Sequence, residues 1–311
     1  MQLKAYAKLN LALEILDLRP DGYHNLRSVM QTISLADTLT VQRSDALTLS
    51  VPGRRELETD DNLILRAARL LGGGIFGARL ILEKNIPQGA GLGGGSADAA
   101  AALKALNEFW GLSCSLPHLE GLAASLGSDV PFFLTGGTCE VGGRGEVVKP
   151  LPESDKKYWY VLLHPPFAVS TAWAYRAFDE NPIPPSGFTE KVKEALAFGD
   201  VKILAGAIGN NLEQPVFAGY PKLGRYKKEL FEAGALGAVM SGSGSTIFGL
   251  FASEAEAMKA KMKLLERLPE LEINIAYSMT RSEIKEQEKE LSVENFSEEE
   301  VRDPCQNGKD W

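Results

Sequence analysis

The stretch IPQGAGLGGGSADAA, residues 86–100, decides how the rest of this chain is read. Glycines stand at 89, 91, 93, 94 and 95, between the apolar run ARLILEKNIP (78–87) and the alanine-rich run that continues to Gly111. The first run reads as a strand stopped at Pro87. The second reads as a helix, with Ser96 placed as its N-cap. Glycines at such a junction let the backbone approach an anion closely. The helix start aims N–H groups at that anion and adds about half a positive charge. The spacing therefore predicts a phosphate-binding turn, with a plain packing loop as the bland alternative.

Two familiar phosphate binders fit poorly. A Walker A loop needs Lys and then Ser or Thr after its last glycine, whereas Gly95 is followed by Ser96 and Ala97. Gly89 to Gly94 satisfies G-x-G-x-x-G literally, which keeps a nicotinamide oxidoreductase open as a reading. That fingerprint opens directly from its strand and has an acidic residue about 20 positions on. Here Asn85 to Gln88 intervene, and the region near Cys114 offers no such acid.

Upstream, residues 3–15 alternate: Leu3, Ala5, Ala7, Leu9, Leu11, Leu13 and Ile15 occupy the odd positions. A period of two predicts a strand with one core face, leaving Lys8 and Asn10 side by side on the other face. RPDGYHNL (19–26) is a turn on Pro20-Asp21-Gly22 carrying Tyr23 and His24. Strands are expected in VMQTISLADTLTVQ and ALTLSV, and helices in DDNLILRAARLLGG and LPHLEGLAASLG. After a polar stretch with two prolines (149–157), strands alternate with helices, which predicts a sheet with helices on one face.

Several segments in order carry a resemblance: AYAKLNLALEI, RPDGYHNL, DDNLILRAA, PQGAGLGGGSADAA, GSDVPFF and MSGSGSTIFGLF. Together they resemble the GHMP kinases over roughly residues 1–281. More narrowly, they resemble the branch whose acceptor is a CDP-linked methylerythritol. The resemblance implies an α+β, two-domain GHMP kinase fold. Residues 1–152 would form the ATP-binding domain and 153–281 a C-terminal α/β sandwich, with the active site in the cleft between them. It implies transfer of the γ-phosphoryl group of ATP to the acceptor's 2-hydroxyl, in the non-mevalonate route to isopentenyl diphosphate.

The resemblance also carries residues. Asp129 matches the family's catalytic aspartate, and Lys8 its catalytic lysine; by local sequence alone, Asp129 caps a helix and Lys8 is a solvated strand lysine. The nucleotide loop is Pro87, Gln88, Gly89, Ala90, Gly91, Leu92, Gly93, Gly94, Gly95, Ser96 and Ala97, with SGSGS (241–245) expected beside it. Asn62 and Lys84 match groups near the nucleoside, although Asn62 is equally a helix cap. Asn10, Tyr23, His24, Thr171 and Tyr175 match the acceptor pocket, with aromatic rings sandwiching a cytosine. Mg²⁺ is expected with ATP. Paired serines that follow Gly-Leu in many relatives are replaced by Gly93 and Gly94, so no protein ligand for the metal is assigned.

Composition bounds the remaining classes. The 311 residues are 44% hydrophobic and 24% charged, and no apolar run is long enough for a membrane span. The N-terminus lacks the compact apolar region of a signal peptide. Cys114, Cys139 and Cys305 form neither a disulfide framework nor a zinc site, and a reducing, cytoplasmic compartment is expected. His118 and His164 read as structural. Of the net charge of −8, residues 282–311 hold ten acids and four bases, so the body is nearly neutral and has no field for nucleic acid. That acidic segment is expected to be frayed or disordered, with a transient helix as the alternative. A small-molecule acceptor, no nucleic acid, no membrane, and a monomer or homodimer complete the expectations. A non-catalytic nucleotide-binding scaffold is the remaining alternative.

Overall fold

The structure, a computed structural model, describes residues 1–72, 74–153 and 155–294. The first sheet is built on a long antiparallel hairpin, β1 (Gln2–Leu18) and β2 (His24–Gln42). β3 (Leu47–Ser50) and β4 (Ala78–Glu83) extend it on one side, and β5 (Thr138–Gly142) and β6 (Val147–Pro150) branch from β2. Helices α1 (Leu63–Gly72), α2 (Gly94–Phe109), α3 (Leu116–Leu126) and α4 (Val130–Thr135) lie between these strands in sequence. Their apolar sides join Leu3, Ala5, Leu39 and Leu80 in one core cluster.

The second sheet is antiparallel, in the order β11-β7-β10-β9. These strands are β7 (Trp159–His164), β9 (Gly237–Met240), β10 (Ile247–Phe251) and β11 (Glu272–Tyr277). Among them run α5 (Thr171–Glu180), α6 (Phe188–Phe198), α7 (Val201–Ala207), the short strand β8 (Gly209–Asn210), α8 (Glu213–Gly219), α9 (Pro221–Glu232) and α10 (Glu254–Arg267). The expected helices on one face are α9 and α10. The opposite face contributes Tyr160, Leu162 and Phe248 to a second cluster, shared with Leu9, Leu11 and Val29 of the first sheet and with α6 and α7. β8 leaves the second half and pairs in parallel with β1, which ties the two sheets together.

The period-two expectation for β1 fails in an instructive way. Both faces are buried: Lys8 is 3% exposed, Asn10 1% and Glu14 0%. Register shifts fall between Tyr6 and Lys8 and between Asn10 and Ala12. A bulge re-aims the side chains beyond it. Leu3 and Ala5 accordingly belong to the helix-side cluster, Ala7, Leu9 and Leu11 to the inter-sheet cluster, and Leu13 and Ile15 to the helix side again. Between the two bulges, Lys8 and Asn10 are turned to the side where the glycine loop lies.

The tail expectation is corrected in part. Residues 282–294 continue α11 (Arg281–Glu294) rather than forming disordered chain. Ile284 is buried with Tyr6 and Met279, Tyr6 hydrogen-bonds Gln287, and Lys104 pairs with Glu288. Arg281 donates to the carbonyls of Leu151 and Thr138. The acidic composition hid the apolar anchor at Ile284. Residues 295–311 of the expected tail, Cys305 included, lie outside the described residues.

Candidate active site

The glycine loop is fastened on three sides. Thr246 N donates to Ala90 O at 3.2 Å, and Lys8 N donates to Leu92 O at 3.0 Å. Gly91 O accepts both Lys8 Nζ at 2.8 Å and Ser241 Oγ at 2.9 Å. The turn 241–245 therefore packs beside the loop, as its sequence suggested. Gly91 has φ +76°, and a Cβ there would stand 2.1 Å from Ser241 O, so only glycine fits. Gly93, at φ +72°, takes the N-cap position of α2 without any side-chain cap. Ser96 is thus not the N-cap but the third residue of the helix. The first-turn N–H groups lack intrahelical partners and open into the cleft lined by Gly93 to Ser96.

Lys8 and Asp129 meet beside this loop. Lys8 Nζ lies 3.7 Å from Asp129 Oδ2 and donates to Asn10 Oδ1 at 2.6 Å. Asn10 also donates from Nδ2 to Ser28 Oγ at 2.9 Å, so its amide is spent on orienting the lysine. Burial pulls the Lys8 pKa below the usual lysine value, and the Asp129 charge opposes that fall. Asp129 does occupy the N-cap position of α4, but its carboxylate caps nothing. Pro131 sets the helix start instead, and the Asp129 side chain, 34% exposed, is left facing the cleft.

Lys84 is buried between Asp37 and Asp98, 2.8 Å from Asp98 Oδ2. Asp37 also accepts the backbone N–H groups of Asn85 and Ile86, which clamps the end of β4. Asn62 caps α1: Oδ1 accepts from Ile64 N, and Nδ2 donates to Leu57 O. Both Asn62 and Lys84 line the cleft, with most of their polar capacity engaged by the protein.

Elsewhere in the cleft lining, Thr171 Oγ1 and Ser243 Oγ are 2.9 Å apart. The rings of His24 and Tyr175 are in contact, 5.2 Å between centroids and tilted by 35°. The face of Tyr23 lies under the Arg144 guanidinium, 5.0 Å away. Burial, followed by the Asp129 charge, raises the Tyr175 phenol above its ordinary range.

One cleft of about 1040 Å³ is lined by every expected site residue except Ala97. Ala97 is 2% exposed and points into the helix-side core, because position four of α2 has turned away from the helix mouth. That volume stands at the upper end of the range for ligand pockets. Asp98, Arg144, Arg176 and Asp179 also line it and gave no local signal in the sequence. His118 and His164 lie elsewhere. His164 is buried against Thr246, and burial lowers its pKa to about 4. Among the described residues, no group of three or more His, Cys, Asp or Glu side chains forms a cation cage, and no helix is long and apolar enough to cross a membrane.

Comparison with known proteins agrees with this geometry. The GHMP kinases N terminal domain matches residues 62–137, and the GHMP kinases C terminal domain matches residues 192–269. A 4-diphosphocytidyl-2-C-methyl-D-erythritol kinase from Synechococcus sp. (strain JA-3-3Ab) is 44% identical over 281 residues, covering 86% of this chain and 90% of its own. One of the same name from Pelotomaculum thermopropionicum is 48% identical, covering 80% of this chain and 88% of its own. A crystal structure of 4-(cytidine 5'-diphospho)-2C-methyl-D-erythritol kinase superposes with a TM-score of 0.77 at 37% identity, over 89% of this chain and 99% of that one. Homoserine kinase from Cytophaga hutchinsonii, at 21% identity and a TM-score of 0.70 over 90% of this chain and 94% of its own, shares the fold. The chain is therefore a small-molecule kinase, and it belongs to the GHMP kinase family, among the 4-diphosphocytidyl-2-C-methyl-D-erythritol kinases.

Proposed function

We propose that the chain transfers the γ-phosphoryl group of ATP to the 2-hydroxyl of 4-CDP-2-C-methyl-D-erythritol, giving the 2-phosphate and ADP. The observation that carries this proposal is the Lys8–Asp129 pair, 3.7 Å apart in the same cleft as the amide-rich start of α2. The triphosphate lies against the first-turn N–H groups of α2, under Gly89 to Ser96. The acceptor occupies the end lined by Tyr23, His24, Thr171 and Tyr175. Asp129 takes the proton of the acceptor hydroxyl as its oxygen attacks the γ-phosphorus. The bond from phosphorus to the β–γ bridging oxygen breaks, and ADP leaves. Lys8 polarises the acceptor oxygen and keeps Asp129 ionised; a desolvated ammonium is worth more there than one in water.

Magnesium fits this cleft as a companion of the nucleotide. It usually keeps several waters and is held through substrate phosphates, so no side chain of the cleft is assigned to it. When bound, it neutralises the charge of the transferring group. The same proposal places the ATP-binding unit in residues 1–152 and the second unit in 153–281, in a cytoplasmic monomer or homodimer.

ATP consumption with a panel of acceptors tests this function. Turnover is expected with 4-CDP-2-C-methyl-D-erythritol and not with free methylerythritol phosphate, homoserine or mevalonate. Preference for any of the latter three contradicts it.

A further inference from the structure

His24 opens β2, and one face of α5 holds its imidazole. Tyr175, Phe178 and Asp179 are spaced i, i+3 and i+4, so their side chains share that face. The Tyr175 ring packs against the imidazole, and the Phe178 ring meets it edge-on at 6.4 Å. Asp179 Oδ1 lies 2.7 Å from His24 Nε2. Two rings fix the plane of the imidazole, and the carboxylate fixes its rotation within that plane. His24 is 7% exposed, so little freedom remains.

A carboxylate only accepts hydrogen bonds, so the proton between these groups sits on Nε2. In a neutral imidazole, the other nitrogen is then an acceptor. Nδ1 has no partner among the described residues and is not among the buried, unpartnered atoms, so it remains open to the cleft that His24 lines. An acceptor at this place pairs with an N–H of a ligand and repels a carbonyl oxygen. Cytosine carries an exocyclic amine where uracil carries a carbonyl.

We infer that Asp179 is a positioning residue that locks His24 with Nδ1 as an acceptor, and so selects a cytosine over a uracil nucleotide in the acceptor. This inference rests on the proposed acceptor and adds the source of its base preference. Asp179 need not touch the substrate. It acts through the tautomer of His24.

The test compares CDP-linked with UDP-linked methylerythritol at pH 8, in the wild type, Asp179→Asn and Asp179→Ala. The Asn amide can donate to Nε2 and move the ring proton to Nδ1; Ala removes the lock altogether. In both variants, the ratio of kcat/KM for the CDP-linked over the UDP-linked acceptor is expected to fall roughly tenfold to hundredfold. The change should lie in KM, with kcat for the CDP-linked acceptor retained. Spectra of ¹⁵N-histidine-labelled protein should show the wild-type His24 proton on Nε2 and, in the variants, a mixture or the opposite tautomer. An unchanged ratio in both variants, or a wild-type proton on Nδ1, overturns the inference, even if the variants lose thermal stability. A wild type that turns over neither acceptor overturns the proposed acceptor itself, and this inference with it.

Discussion

Lys84 stands between two buried carboxylates, and three charges so placed cannot all keep their ordinary titration. Burial raises Asp98 to about 7; Lys84 opposes that rise and Asp37 adds to it, while Oδ1 of Asp98 has no hydrogen-bond partner. The folded chain therefore holds a proton that the unfolded chain releases near the ordinary carboxyl value of 3.8. Stability is lost as pH rises from that value through about 7, the region in which the folded state binds more protons than the unfolded. Asp98→Asn removes the titration. Urea unfolding at pH 5 and pH 8 is expected to show this variant gaining on the wild type with rising pH, by on the order of 1–4 kcal/mol. A stability difference equal at both pH values contradicts the assignment. Nothing local marks this cluster, because Asp37 is far from Lys84 in the chain and Asp98 lies unmarked among alanines. The contact between Lys8 and Asn10 was legible, since residues i and i+2 of a strand share a face. Which way that face looks was not, because it depends on bulges that have no signature in the alternation.

At the scale of elements, the glycine loop separates packing from binding. Gly91→Ala places a methyl against Ser241 O at a left-handed φ, and a loss of roughly 2–4 kcal/mol of stability is expected. Gly95 has ordinary helical φ, and a Cβ there meets nothing closer than Leu63 Cδ1 at 3.8 Å. Gly95→Ala should leave stability unchanged or raise it by about 0.5–1 kcal/mol, the helix preference of alanine. It should nevertheless weaken ATP binding by about tenfold or more, because the methyl stands in the space before the helix start. Thermal unfolding with and without ATP reads both effects; equal ATP affinity in Gly95→Ala and the wild type would place the phosphates elsewhere. α11 makes the second case. Removing the chain after Arg281 takes away Ile284 and the pairs Lys157–Glu283 and Lys104–Glu288, and should cost roughly 2–4 kcal/mol. Undiminished stability on truncation would show that α11 docks without consequence. Composition alone suggested the opposite, because net acidity outweighs a single buried isoleucine when a segment is read by its average.

Over the whole molecule, the site is assembled from stretches that meet only in the fold. Lys8 comes from the first strand, the glycine loop from the junction of β4 and α2, Asp129 from the start of α4, and Ser241 from the turn before β10. The order of strands and helices was readable from periodicity and capping, and the strand–loop–helix at 86–100 marked the phosphate end. The parallel pairing of β8 with β1 and the burial of both faces of β1 were not readable, since each depends on partners hundreds of residues apart. Convergence of one cation and one carboxylate beside the helix start is the feature on which the proposed phosphoryl transfer depends. It is tested most directly by measuring, side by side, ATP affinity and transfer from ATP to 4-CDP-2-C-methyl-D-erythritol for the wild type, Lys8→Ala and Asp129→Asn. Both variants are expected to keep ATP affinity within about threefold while transfer falls by about 10²–10⁴ or more. Near-normal transfer in either variant would contradict the role of that residue in the reaction.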